Sequence, residues 1–257
     1  MKILSWNVNG IRSVWKKGLV DWIKSQSPDV LCLQEVKVQP EQVAKDLSDV
    51  DGYYAHWNCG LRKGYSGVAT FTRLNPSSVA TSCAGMERFD EEGRILLTEF
   101  PDFTLFNIYF PNGGSGDERL KYKLDFYDAL LEQLEERRAK GQKLIVCGDF
   151  NTAHKEIDLA RPAANQKVSG FMPIERAWLD KLEARGYVDT FRRFNQEPAQ
   201  YTWWDQKTFA RERNVGWRID YFWVTPDVMP LVRRSFIMPD VTGSDHCPVG
   251  LELDIPA

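Results

Sequence analysis

At 257 residues and 43% hydrophobic side chains, the chain can build one large core or two small ones, and no apolar run approaches the ~20 residues of a bilayer-spanning helix. A formal net charge of −3 argues against a protein that merely coats nucleic acid, but not against a nuclease, whose carboxylates cluster locally while basic residues elsewhere hold a phosphate backbone. Cys32, Cys59, Cys83, Cys147 and Cys247 fall singly, so neither a disulfide framework nor a CxxC site is expected; MKILSWNVNG lacks the apolar stretch of a secretory signal, and a cytoplasmic protein is expected.

Residues 2–6 (KILSW) read as a strand that ends in the amide-rich turn Asn7-Val8-Asn9-Gly10. Trp15, Leu19, Trp22 and Ile23 recur at helical spacing, which predicts a helix over 14–23 that Ser27-Pro28 stops. Val30–Leu33 is a second apolar strand, ending in Gln34, Glu35 and Lys37, and a short helix is expected over 40–47. Five short strand-like runs follow, at 53–57, 67–72, 78–82, 95–100 and 103–110, spaced as antiparallel strands, and the last delivers Tyr109, Pro111 and Asn112 to a turn.

The clearest helix covers 117–140, with Leu120, Leu124, Tyr127, Leu131 and Leu134 on one face, acids in its first turn and bases before Gly141. Leu144-Ile145-Val146-Cys147 is an unbroken apolar run, the mark of a strand buried on both faces, and after Gly148 come Asp149, Asn151, His154, Glu156 and Asp158. A polar cluster at the end of a buried strand is where α/β proteins place chemistry, although Asp and Asn also favour simple turns. Within the cluster, Asp149 and Asn151 are expected at the chemistry, with His154, Glu156 and Asp158 fixing the loop after it. A long polar loop over 159–172 leads to a helix over 173–185, with Ile174, Ala177, Trp178 and Leu182 inward. The aromatic run YTWW precedes a strand over 216–222 with Asp220 in its middle, and a last pair of strands flanks GSDHCP at 243–248. No linker or repeat divides the chain, so a single α/β domain over 1–257 with two sheets is expected.

Six turns therefore offer Asn7 and Asn9, Glu35, Tyr109 and Asn112, Asp149 and Asn151, Asp220, and Asp245-His246. Oxygen ligands without clustered cysteines suit a hard cation such as Mg²⁺ or Mn²⁺, and such a set suits phosphate-ester cleavage. Asp220 is placed to orient His246 and stabilise its charged form.

SWNVNG, LQEVK, YFPN, GDFNTAHKEIDL, NVGWRIDYF and GSDHCP, in this order and spanning nearly the whole chain, resemble the exonuclease III family of apurinic/apyrimidinic endonucleases. The resemblance implies a four-layered α/β sandwich, two packed mixed sheets flanked by helices. It also implies a metal-dependent phosphodiesterase that incises double-stranded DNA 5′ to abasic sites and leaves a 3′-hydroxyl, with 3′→5′ exonuclease and 3′-end trimming at blocked ends. Uracil-type lesions are a further expectation. By resemblance, the metal ligands are drawn from Asn7, Glu35, Asp149, Asn151, Asp245 and His246, and the catalytic groups are Tyr109, Asp149, Asn151, Asp220 and His246. Asp149 and His246 both stand as candidate bases. Trp203 and Trp217 match the wall of a pocket for an extrahelical sugar. Asn9, Arg62, Lys63, Tyr65, Asn112, Asn165 and Lys207 are the remaining expected DNA contacts, and a monomer that needs no membrane is expected.

Three departures stand out. Val168 replaces an asparagine found in many relatives, and the loops that wedge into DNA in some relatives read Gly113-Gly114-Ser115-Gly116 and Gln206-Lys207-Thr208 here. Two alternatives share the scaffold: a phosphatase or sphingomyelinase-type phosphodiesterase, which WRIDYF and YTWW argue against, and a noncatalytic abasic-DNA-binding protein, which the complete set of polar residues argues against.

Overall fold

The computed structural model describes residues 1–255; the last two residues of the domain expected over 1–257 lie outside the described part. The strands are β1 (Lys2–Asn7), β2 (Val30–Gln34), β3 (Tyr54–Asn58), β4 (Val68–Thr72), β5 (Ser78–Ala80), β6 (Ile95–Glu99), β7 (Thr104–Tyr109), β8 (Leu144–Asp149), β9 (Val188–Asp189), β10 (Trp203–Trp204), β11 (Gly216–Trp217), β12 (Asp220–Val224), β13 (Val232–Ile237) and β14 (Val249–Leu253). The helices are α1 (Ile11–Trp15), α2 (Leu19–Gln26), α3 (Lys45–Ser48), α4 (Asp117–Ala139), α5 (Pro162–Asn165), α6 (Pro173–Ala184) and α7 (Thr190–Phe194). Two six-stranded sheets form, ordered β13-β14-β1-β2-β4-β3 and β5-β6-β7-β8-β12-β9, and β10 and β11 make a separate two-stranded ribbon.

Strand alternation explains the layers. Ile3, Val30, Cys32, Leu105, Ile145, Cys147, Phe222 and Leu251 pack between the two sheets. The intervening residues Leu4, Trp6, Leu31 and Leu33 face outward under α1 and α2, and Phe106, Leu144 and Val146 face the opposite way under α4 and α6. The result is the expected four-layered α/β sandwich of two packed mixed sheets flanked by helices.

At one end of the inter-sheet space the packing turns polar. Gln34 Nε2 donates to Ser5 Oγ (3.0 Å) and Asn107 Oδ1 (2.8 Å), and Asn107 Nδ2 donates to the carbonyl of Ala69 (2.8 Å). The parallel pairs β1–β2 and β7–β8 finish at this end, with Asn7 opposite Gln34 and Tyr109 opposite Asp149.

Several expected elements differ. The helix over 14–23 is two helices, because Gly18 takes φ +92° between them, a conformation that L side chains rarely adopt. The helix over 40–47 is a 3₁₀ turn at Pro40–Gln42 followed by α3, and the long loop over 159–172 contains α5. The strand over 216–222 breaks, so Asp220 begins β12 rather than occupying a strand middle. Helix α6 is rotated from the expected face: Ile174 is 54% exposed and Ala177 is exposed, whereas Glu175, Trp178, Leu179 and Leu182 are buried. The reason is polar. Glu175 accepts from the buried Lys123 ammonium (2.7 Å), Ser169 Oγ (2.9 Å), and the amides of Gly170 (2.7 Å) and Met172 (3.2 Å), so the helix turns an acid inward.

Candidate active site

Gly148 allows β8 to deliver Asp149. Its φ is +132°, and a Cβ there would lie 1.9 Å from the carbonyl oxygen of Ile108, so only glycine lets β7 and β8 approach as they do. Asp149 is then buried, and three groups fix its carboxylate: the Asn7 amide donates to Oδ2 (2.8 Å), the Asn151 side chain donates to the same oxygen (3.2 Å), and the Asn151 main-chain N–H donates to Oδ1 (2.8 Å). Asn151 is itself held at φ +51° by donating to Phe110 O (2.9 Å) and accepting from Asn112 Nδ2 (3.0 Å).

Antiparallel pairing sets Asp220 of β12 directly opposite Asp149. Asp220 Oδ2 meets His246 Nδ1 at 2.9 Å, and His246 Nε2 lies 3.9 Å from Asp149 Oδ2. Thr202 Oγ1 accepts from the amides of Ile219 and Asp220, which steadies the start of β12. Ser244 Oγ donates to Asn7 O (2.8 Å) and accepts from the amide of His246 (3.2 Å), which ties the GSDHCP turn to the end of β1.

Burial pushes Asp149 up to about 7, with the neighbouring Asp220 adding to the rise and His246 opposing it. Burial by itself would lower His246, but the carboxylates of Asp220 and Asp149 outweigh it and raise the imidazole to about 10. His246 is thus a cation that donates hydrogen bonds. Tyr109 is raised well above its ordinary value by burial and by Glu35, so its phenol stays protonated.

Glu35, at φ +55° just after β2, places Oε2 3.1 Å from the Asn7 amide and Oε1 2.7 Å from the Lys37 ammonium. Lys37 also donates to Asn9 Oδ1 (2.5 Å), whose Nδ2 donates to Asp245 Oδ1 (2.9 Å). The residues fit a hard divalent cation on two observations: the Lys37 ammonium already bridges the side-chain oxygens of Glu35 and Asn9, and Glu35, Asn9 and Asp245 line one cavity. Glu35, Asp149 and Asp245 supply carboxylate oxygens. Asn7 turns its NH₂ toward Glu35 and Asp149 while its oxygen accepts from the Asn9 amide (2.9 Å). Asp149, Asp220 and His246 also bring potential ligand atoms within 4.8 Å of one another, with His246 Nδ1 held 2.9 Å from Asp220 Oδ2.

These groups open onto a cavity of about 350 Å³ lined by Asn9, Glu35, Tyr109, Asn112, Asn151, Asp245 and His246 on the polar side and by Val168, Trp203, Trp217 and Ile219 on the other. Trp203 pairs with Trp217 across the β10–β11 ribbon and donates from its indole to Asp245 Oδ2 (3.1 Å), so the apolar wall is anchored to the acidic side. Gly170 shapes the same wall at φ +97°, where a Cβ would press on Asn151 O at 3.1 Å and on the Trp217 ring at 3.2 Å.

The fold thus gathers Asn7, Asn9, Glu35, Tyr109, Asn112, Asp149, Asn151, Trp203, Trp217, Asp220, Asp245 and His246. Arg62 and Lys63 stand on an exposed loop and Lys207 on an exposed 3₁₀ turn (Gln206–Thr208), none lining the cavity, and Asn165, at the end of α5, donates to Arg161 O (2.9 Å). Tyr65 is engaged elsewhere, its hydroxyl accepting from Arg94 (3.0 Å) and Arg119 (2.9 Å). Thr202, Ser244 and Lys37 are not assigned from the sequence, although each stands within two residues of an assigned position, Trp203, Asp245 and Glu35.

The model of the Endonuclease/Exonuclease/phosphatase family matches residues 4–246. The chain belongs to that family. A Bacillus subtilis exodeoxyribonuclease is 41% identical over 257 residues, covering 99% of this chain and 100% of the relative. A Dictyostelium discoideum DNA-(apurinic or apyrimidinic site) endonuclease is 39% identical over 258 residues, covering 99% of this chain and 71% of the relative. Among solved structures, a 3′ phosphatase from Neisseria bound to a product DNA hairpin superposes with a TM-score of 0.90 at 27% identity, covering 99% of this chain and 100% of that chain. Within the Endonuclease/Exonuclease/phosphatase family the chain falls in the exonuclease III group and is a hydrolase acting on phosphodiester bonds.

Proposed function

We propose that this enzyme incises double-stranded DNA on the 5′ side of abasic sites with Mg²⁺, for which Mn²⁺ substitutes, and leaves a 3′-hydroxyl. The observation that carries the reading is a buried Asp149 3.9 Å from a His246 paired with Asp220, with His246 lining the same cavity as Trp203 and Trp217. A base-free sugar turned out of the duplex fits against Trp203, Trp217 and Ile219, whereas a stacked, paired nucleotide has no access to them.

Glu35, Asp149 and Asp245 would hold the metal, which would supply polarisation of the phosphate oxygens and a lower cost of forming hydroxide from water. Asp149, with its carboxyl near 7, takes a proton from the attacking water, aided by Asn151. The water oxygen bonds to phosphorus, the bond from phosphorus to the 3′ oxygen breaks, and that oxygen takes up a proton from solvent to become the new 3′-hydroxyl. His246, kept charged by Asp220, and the Tyr109 phenol and Asn112 amide donate to the phosphate oxygens as charge builds on them. Arg62, Lys63, Asn165 and Lys207, outside the cavity, contact the DNA backbone with low individual strength. The same centre trims blocked 3′ ends and degrades 3′→5′ from a duplex end, and incision at uracil is the widest lesion range we assign to it. The enzyme works as a monomer in the cytoplasm.

A duplex with a single tetrahydrofuran site, assayed beside uracil, 3′-phosphate and plain-ended duplexes with Mg²⁺ and with EDTA, tests this. Nicking only with metal, and its loss in Glu35→Ala and Asp149→Asn, is the expected result; nicking that survives those substitutions refutes the assignment.

A further inference from the structure

Arg94 is 2% exposed and does not line the cavity, yet it holds Tyr109 in three ways. Its carbonyl accepts from the Tyr109 amide (2.9 Å), its Nη1 donates to the Tyr109 carbonyl (2.8 Å), and its guanidinium carbon lies 4.7 Å from the centroid of the Tyr109 ring. The rest of the guanidinium is fixed from behind. Nε pairs with Glu92, Nη2 donates to Tyr65 Oη (3.0 Å), and Arg119 from α4 closes the group with bonds to both Glu92 oxygens (2.9 Å each) and to Tyr65 Oη (2.9 Å).

Two guanidinium charges against one carboxylate leave a net positive charge behind Tyr109, while Glu35 and Asp149 bring negative charge near its phenol. A cation against a ring face is attracted to it and fixes the ring plane, and a nearby positive charge makes a phenol a stronger hydrogen-bond donor. The arrangement also gives Tyr65 a use different from a DNA contact, because its hydroxyl is already committed to both arginines.

We propose that Arg94 is a positioning residue for phosphodiester cleavage: clasped by Glu92, Arg119 and Tyr65, it aims the Tyr109 phenol at the scissile phosphate and strengthens it as a donor. This rests on the reading of Tyr109 as a phosphate contact.

The test is a double-mutant cycle on single-turnover incision of the tetrahydrofuran duplex at saturating enzyme and Mg²⁺, with wild type, Arg94→Met, Tyr109→Phe and the double variant. Arg94→Met is expected to slow incision roughly tenfold, and that loss is expected to vanish in the Tyr109→Phe background. A purely structural role would instead cost the same factor in both backgrounds. Additive losses, or an Arg94→Met enzyme as fast as wild type, overturn the inference while leaving the proposed function standing. A Tyr109→Phe enzyme as fast as wild type overturns the role of Tyr109 itself, and the inference with it. Should Arg94→Met not fold, Arg94→Lys carries the same cycle: it keeps the charge beside Glu92, loses the planar fork, and is expected to cost roughly threefold only where the Tyr109 hydroxyl is present.

Discussion

Asp149 and His246 face each other at 3.9 Å, and the charge on each depends on the other and on Asp220. In the proposed mechanism Asp149 is ionised to accept a proton and His246 is protonated to donate hydrogen bonds, so kcat/KM should rise through about 7 and fall through about 10. In Asp220→Asn both limbs should move toward acid, because Asp220 raises both groups; a pH–rate profile with an unmoved alkaline limb would refute the pairing. The linkage to stability has one sign for both groups. Each is raised above its unfolded value, so each stabilises the fold most below that value and loses the contribution as pH rises, toward about 7 for Asp149 and about 10 for His246. Asp149→Asn should lose roughly 10²–10⁴ in single-turnover rate while circular dichroism shows an intact fold. Gly148→Ala should fail at folding instead, since the added carbon has no room against Ile108.

At the scale of elements, α4 and α6 are joined through a fully buried ion pair, Lys123 with Glu175, that also holds Asn151 O (2.7 Å) and Thr152 Oγ1 (2.8 Å). Removing one partner strands a charge in the interior, so Lys123→Met should cost roughly 3–5 kcal/mol in urea unfolding. Ile174→Glu, on the face that hydrophobic spacing turned inward, should change stability by less than about 0.5 kcal/mol, because that side chain is already exposed. The contrast between these two variants follows from one fact: α6 orients by satisfying Glu175 rather than by burying Ile174. Helical periodicity counts apolar residues and so misassigns a helix whose buried face includes an acid.

For the whole molecule, the proposed metal role predicts that Mg²⁺ stabilises the fold by binding the native state. The Tm of wild type should rise with Mg²⁺ concentration, and that of Glu35→Ala should stay flat, in a thermal-shift titration. An α/β domain with two sheets and the acids and amides of the site were legible in the sequence, because apolar runs such as Val30–Leu33 and Leu144–Cys147 mark strands buried on both faces and the polar residues closing them mark the end where a site forms, while the four-layered sandwich came only with the family resemblance. Spacing along the chain could not show that Asp220 pairs in register with Asp149, that Asn7 reaches from one sheet to a carboxylate of the other, or that Tyr65 and Arg94 meet behind Tyr109. Those contacts join residues tens to more than a hundred positions apart, and their geometry comes from strand register and sheet packing. The sequence alone therefore determined which chemical groups stand at the strand ends. Only the tertiary structure decided which of them share a proton, a charge or a ring face, because burial and distance, which set those interactions, belong to the packed molecule.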